Sequence, residues 1–243
     1  MTEADRRTAV PAGAGRDRRT EWILDAAGEL LVSRGYRRVT IEEVARRAGV
    51  GKGTVYLHFP GKELLFLTVL MRAQSRMIDR FVRQAGDDPS AVLLSSVARS
   101  AYLWVHEEPI ARAVLIGDVE TLGTLSRSAA RDTGDLLTVR ERTVDAHFSA
   151  LREHGLVRDD QPLELQRHAY EAILTGYLMI EPMTPGAAPD VPAAAGMLAH
   201  VVRSAFEIPG DPGAARAAAP RVAAAYRRLL DRLHEEMRRR TLI

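Results

Sequence analysis

Three glycines, Gly49, Gly51 and Gly53, fall within five residues of a chain otherwise dominated by Ala, Leu, Arg and Glu. An apolar and aromatic run, Val55-Tyr56-Leu57-His58-Phe59, follows at once. Glycine costs a helix interior about 1 kcal/mol relative to alanine, so three together must sit where helices break rather than where they continue. In RRAGVGKGTVYLHFPGKEL (46–64) each has its own place. Gly49 suits the left-handed residue that ends a first short helix. Gly51 takes the cap position of a second, where Ser or Thr would cap better. Gly53 lies in its first turn, where the missing side chain lets the backbone approach a partner. Two short helices joined by such a turn form a helix-turn-helix, a unit whose second helix can enter the DNA major groove.

The surroundings support that unit. Residues 1–16 are rich in Gly, Pro, Ala and Arg and have the composition of a disordered basic tail. Helical spacing of Ile23, Leu24, Ala27, Leu30 and Leu31 predicts a first amphipathic helix over 17–34, stopped by Gly35. Thr40 can cap a short helix ending near Ala48, a second covers 52–59, and a long one runs over 61–84. Further helices are expected at 89–106, 109–117, 122–154, 162–181, 193–207 and from about 214 to 240, with proline-rich breaks at 181–192 and 208–213. With β-branched alternation scarce, the fold class is all-α. A helix-turn-helix domain (17–65) precedes a larger helical bundle (66–243).

On a wheel of 100° per residue, Val55 and Phe59 face inward toward Val44, Ala45 and Val50. Gly53, Thr54 and Leu57 face outward, flanked by Lys52, Tyr56 and His58. Hydroxyls can bond base edges or phosphate, an apolar tip can touch a thymine methyl, and cations neutralise phosphates. Tyr36 and Trp22, like Val55 and Phe59, are read as core. The charge distribution agrees. Residues 1–65 carry 12 basic and 9 acidic side chains, the middle of the chain is acidic, and the last 28 residues carry 8 and 3. Arg16, Arg18 and Arg19 read as part of a solvated tail, with an arm reaching phosphate or the minor groove as the alternative, and the basic C-terminal helix reads as a solvated face.

The sequence contains no cysteine, which excludes disulfides and thiol catalysis. No apolar run approaches eighteen residues and the first twenty have no apolar core, so a cytoplasmic protein that meets no membrane is expected. Signatures of nucleophilic, zinc-dependent or nucleotide-binding enzymes are missing, and the chain is not expected to be an enzyme. His147 and His154 could share a face with His168 or Glu171, but isolated histidines are far more common than such a site. No metal and no cofactor are expected.

Residues 22–65 resemble the DNA-binding domain of the tetracycline-repressor (TetR) family of bacterial transcriptional regulators. The matching pieces are the Ile23-Leu24 start with Ala26-Ala27, Gly35-Tyr36, Thr40, Ala48-Gly49-Val50, Gly53-Thr54-Val55-Tyr56, His58-Phe59 and Lys62-Glu63. The resemblance implies that Thr40, Lys52, Thr54, Tyr56, His58 and Lys62 contact operator DNA, and that Gly53 is a close-approach position. Arg46 and Arg47 are further phosphate candidates. Gly51 departs from the family's usual Ser or Thr. The resemblance also implies a homodimer, a near-palindromic double-stranded operator, and a small-molecule effector that relieves repression. Helices 162–181 and 193–207 have apolar faces suited to a two-fold interface. Tyr102, Trp104, His106, His147, Phe148, Tyr170, Tyr177 and Met179 are candidate pocket residues, aromatics and polar tips that suit an organic ligand. The rival reading is a helical small-molecule-binding protein or enzyme with a vestigial helix-turn-helix.

Overall fold

The computed structural model describes residues 12–115, 135–183, 189–209 and 212–241. Their helices are α1 (Ala12–Arg34), α2 (Ile41–Ala48), α3 (Lys52–His58), α4 (Lys62–Asp87), α5 (Leu94–Glu107), α6 (Pro109–Leu115), α7 (Leu136–Glu153), α8 (Leu163–Met183), α9 (Val191–Phe206) and α10 (Pro212–Arg240). Short 3-10 turns occupy Tyr36–Arg38 and Pro89–Val92. The all-α class stands, with an N-terminal helix cluster followed by a larger helical bundle.

Two corrections concern helix starts. α1 begins at Ala12 rather than near 17, so residues 12–16, expected as tail, are helical; the rest of that tail lies outside the described residues. The helix expected at 89–106 is broken near its start, because the Asp88 carboxylate accepts from Ser90 N–H (2.9 Å) and Leu93 is extended (φ −62°, ψ 140°). Pro220 lies inside α10. The expected segment 116–134, covering the first part of helix 122–154, is outside the described residues.

Three buried clusters hold the described residues together. The N-terminal one joins Ile23, Leu24, Ala27 and Leu31 of α1 to Val44, Val55 and Phe59, and takes Phe66, Val69 and Ala73 from α4. The largest packs α5 along α9, with Phe148, Tyr170 and Phe206 meeting edge-on at 5.6–6.3 Å. The third lies between α4 (Leu67, Met71, Ile78) and α10 (Leu229, Leu233). At 26 residues and 1.5 Å per residue α4 is about 39 Å long. Residues 66, 69 and 73 fall on one face and 67, 71 and 78 on nearly the opposite one, so a single rod is cored into both halves.

Candidate nucleic-acid interface

α2 is fixed at both ends by its own sequence. Thr40 and Glu43 form a capping box: Glu43 N–H donates to Thr40 Oγ1 (3.3 Å), and Thr40 N–H to Glu43 Oε2 (2.9 Å). The backbone bond from Thr40 is the main cause that holds the Glu43 carboxyl below its usual range. At the other end Gly49 has φ 68° and ψ 30°, and Val50 N–H returns to Ala45 O (3.0 Å). This left-handed turn reverses the chain into α3.

α3 starts at Gly51, which is extended and supplies no side-chain cap. Val55 and Phe59 are fully buried beneath it. On its outer side Lys52, Gly53, Tyr56 and Leu57 are exposed and Thr54 half-exposed, with Leu57 58% and Tyr56 44% accessible. A Cβ built on Gly53 would meet no atom within 4 Å, so nothing inside the chain requires glycine there. Lys52 pairs with Glu42 of α2 and lies 5.8 Å from the Tyr56 ring centroid. The hydrogen bond between them raises the Lys52 ammonium and lowers the Glu42 carboxyl. Lys62, at the first residue of α4, sits 4.4 Å over the Tyr36 ring and donates to Arg37 O (3.4 Å). Partial burial there lowers its pKa.

Thr40, Lys52, Gly53, Thr54, Tyr56, Leu57 and Lys62 are thus brought to the α2–α3 unit and the start of α4, and Arg46 is exposed on α2. Two candidates depart. His58 is buried, with Nδ1 3.1 Å from the buried Thr20 Oγ1 on α1, so its ring ties α3 to α1 instead of facing outward. Arg47 is drawn onto α1 by Glu29 (Nε to Oε2 2.8 Å), beside a shallow hollow of about 290 Å³ lined by Trp22, Asp25 and Ala48. Trp22, read as core, is 52% exposed because α1 buries the Ile23–Leu24 side instead. The sequence reading passed over Arg37 and Arg38, exposed on the turn beside Lys62. Their signal was the position between Gly35 and the capping Thr40.

The eight pocket candidates do not share one packing environment. Trp104 packs on the N-terminal core. His147 is buried toward α4 and α10, with Nε2 2.6 Å from Val92 O and Nδ1 3.2 Å from Tyr226 Oη, and burial lowers its pKa to about 4. Its chain neighbour Phe148 turns instead into the aromatic triad with Tyr170 and Phe206. Tyr170 is buried there, with its hydroxyl donating to Leu94 O (3.4 Å), and burial raises its pKa well above the usual value. Tyr102 groups with His106 (ring centroids 4.4 Å apart) and Tyr177 (6.2 Å), while Met179 is half-buried on α8. The described residues include no group of three or more acidic or histidine side chains placed to hold a metal, and no helix long and apolar enough to cross a membrane.

Comparison with known proteins meets this geometry at the same place. The sequence model described as "Bacterial regulatory proteins, tetR family" matches residues 23–69. The chain is 44% identical over 70 residues to the HTH-type transcriptional activator FasR of Mycolicibacterium smegmatis; the match covers 29% of this chain and 32% of that protein. A weaker likeness runs further, 23% identity over 178 residues to the HTH-type transcriptional repressor AcnR of Corynebacterium glutamicum, covering 70% and 85%. The solved structure of the fatty acid degradation regulator FadR from Bacillus halodurans shares the fold at a TM-score of 0.58 and 18% identity, over 81% of this chain and 96% of that one. The chain spans about a third of the length of the first curated relatives it matches, within the helix-turn-helix end.

Proposed function

The chain is a member of the TetR family of bacterial transcriptional regulators, and on that premise we propose that it is a ligand-responsive repressor that binds a near-palindromic operator as a homodimer. Residues 17–65 are the DNA-binding domain and 66–243 the effector-binding and dimerisation domain. The observation that carries the reading is the outer side of α3. A seven-residue helix anchored by Val55, His58 and Phe59 exposes Tyr56 and Leu57 around a glycine that no internal contact explains. Such a face is costly in water and suited to base edges, thymine methyls and phosphates. Thr40, Arg46 and Lys62 supply sequence-independent phosphate contacts, with Arg37 and Arg38 beside them.

Two copies must place their α3 helices about 34–36 Å apart to enter successive major grooves. The exposed sides of α8 and α9 fit that assembly: Leu165 and Met197 are more than half accessible, among exposed Ala169, Ala172, Gly176 and Gly196. Small residues let helices of two copies approach closely. Of the effector candidates, Tyr102, His106 and Tyr177 group together. They lie near the α5–α6 corner, which is bound to α4 through Arg76–Glu108 (3.0 Å) and Arg80–Glu107 (3.1 Å). An effector that shifts this corner moves α4, and a coupling of about 1–3 kcal/mol changes operator affinity about 5–150-fold. Selection of bound fragments from genomic DNA tests the reading. It is supported by enrichment of one near-palindrome and refuted by recovery of no common sequence.

A further inference from the structure

Lys52, the first residue of α3, reaches back to the first turn of α2 and pairs with Glu42 Oε1. Both side chains are more than half exposed, so the pair is not part of the scaffold. α2 is held by its Thr40–Glu43 box and by buried Ile41, Val44 and Ala45, and α3 by Val55, His58 and Phe59. Glu43, the other carboxylate of α2, is occupied by that box and by Arg34, and α3 contains no acidic residue. Glu42 is therefore the carboxylate that α2 and α3 set beside the outer side of α3, next to the Lys52–Tyr56 contact.

Alone, an anionic group at this place would be repelled by the phosphates of a duplex. Paired with Lys52 it enters as a neutral unit. The hydrogen bond from Lys52 holds the Glu42 carboxyl below its usual range, so near neutral pH it accepts and does not donate. One bond leaves most of its capacity open, because a carboxylate has about four lone-pair sites. In the major groove the bases offer donors only at cytosine N4 and adenine N6. Adenine sets the N7 acceptor beside its amino group, and guanine and thymine present acceptors that a carboxylate avoids. Cytosine alone gives a donor without an acceptor. A recognition helix puts its N-terminal residues on base edges, and Glu42 is bonded to the first residue of that helix.

We propose that Glu42 is a specificity-determining residue that reads cytosine, its carboxylate accepting from the N4 amino group while Lys52 neutralises it. The proposal rests on α3 being the recognition helix, and it gives α2 a share in base readout. With two copies on a near-palindrome the cytosine recurs once in each half-site.

The test is E42Q in the full chain, with wild type and variant each used to select from a duplex library randomised across the operator, followed by fluorescence-anisotropy titration of single-base changes. The wild-type protein should select cytosine at one position in each half-site, and replacing that base should weaken binding about 5- to 150-fold. E42Q should lose this preference and favour adenine there, which a Gln amide matches with two hydrogen bonds, while every other position is selected as before. K52Q should weaken operator and unrelated duplex alike and still select the cytosine. The proposal is overturned if E42Q selects the same bases as the wild type, or if the preference it loses is for another base, as when Lys52 reads a guanine and Glu42 only braces it. Failure of the wild-type protein to enrich any sequence would instead remove the DNA-binding reading on which the proposal rests.

Discussion

His147 offers a quantitative check on how the larger half is built. The geometry fits a neutral ring, with Nε2–H donating to Val92 O (2.6 Å) and Nδ1 accepting from the Tyr226 hydroxyl (3.2 Å), beneath the Phe81 ring of α4. A second proton would place a charge in a fully buried site and remove the acceptor that Tyr226 uses. Burial accordingly depresses the folded-state pKa to about 4 from 6.5. The unfolded chain therefore binds a proton first as pH falls, and this contribution to stability is complete above pH 6.5 and lost on descending toward pH 4. At 1.36 kcal/mol per unit the full loss is about 3 kcal/mol, of which about 1 kcal/mol has gone by pH 5.5. Urea unfolding followed by circular dichroism between pH 7.5 and 4 would measure it in the wild type and in His147→Gln. The wild type should lose about 3 kcal/mol more than the variant across that range. A difference between the two that does not vary with pH would refute the buried neutral histidine.

The small domain gives sharper contrasts. Thr20→Val removes the hydroxyl that meets the buried His58 ring and should cost about 1–3 kcal/mol, lowering the calorimetric midpoint by about 2–4 °C per kcal/mol, whereas Thr20→Ser should retain most of the stability. Gly49→Ala places a side chain at φ 68° and should cost about 1–2 kcal/mol in the same scan. Gly53→Ala should behave in the opposite way. The space around it is open and the residue is helical, so stability should rise by up to about 1 kcal/mol while gel-shift affinity for the operator falls, because the added methyl stands between backbone and DNA.

Most of the local architecture was legible in the sequence because local chemistry decides it. Gly49 and the Thr40–Glu43 box act within one turn, and the inward facing of Val55 and Phe59 follows from helical period alone. His58 was not legible. It lies about 60° around the wheel from Val55, a position that can face either way, and what settles it is Thr20, 38 residues away. Trp22 misled for a related reason. Its size suggests burial, but α1 already fills its inner face with Ile23, Ala26, Ala27, Leu30 and Leu31. The pocket candidates were chosen by residue type, which does not carry direction: His147 and Phe148, 100° apart on α7, meet different rings, Phe81 and Tyr226 in the first case and Tyr170 and Phe206 in the second. The start of α1 was missed because glycine and alanine in a basic segment suggest a tail by composition, whereas the helix of which they are part is nucleated by the core residues that follow.

The central claim is that the outer side of α3 reads a duplex, and Tyr56→Ala tests it most directly, since that exposed ring supports none of the buried clusters. Equilibrium titration against the selected operator and a scrambled duplex at fixed salt should show about a 5- to 150-fold loss on the operator, the 1–3 kcal/mol of a base-edge contact, with the scrambled duplex bound as before. Wild-type affinity of Tyr56→Ala for the operator would contradict the account.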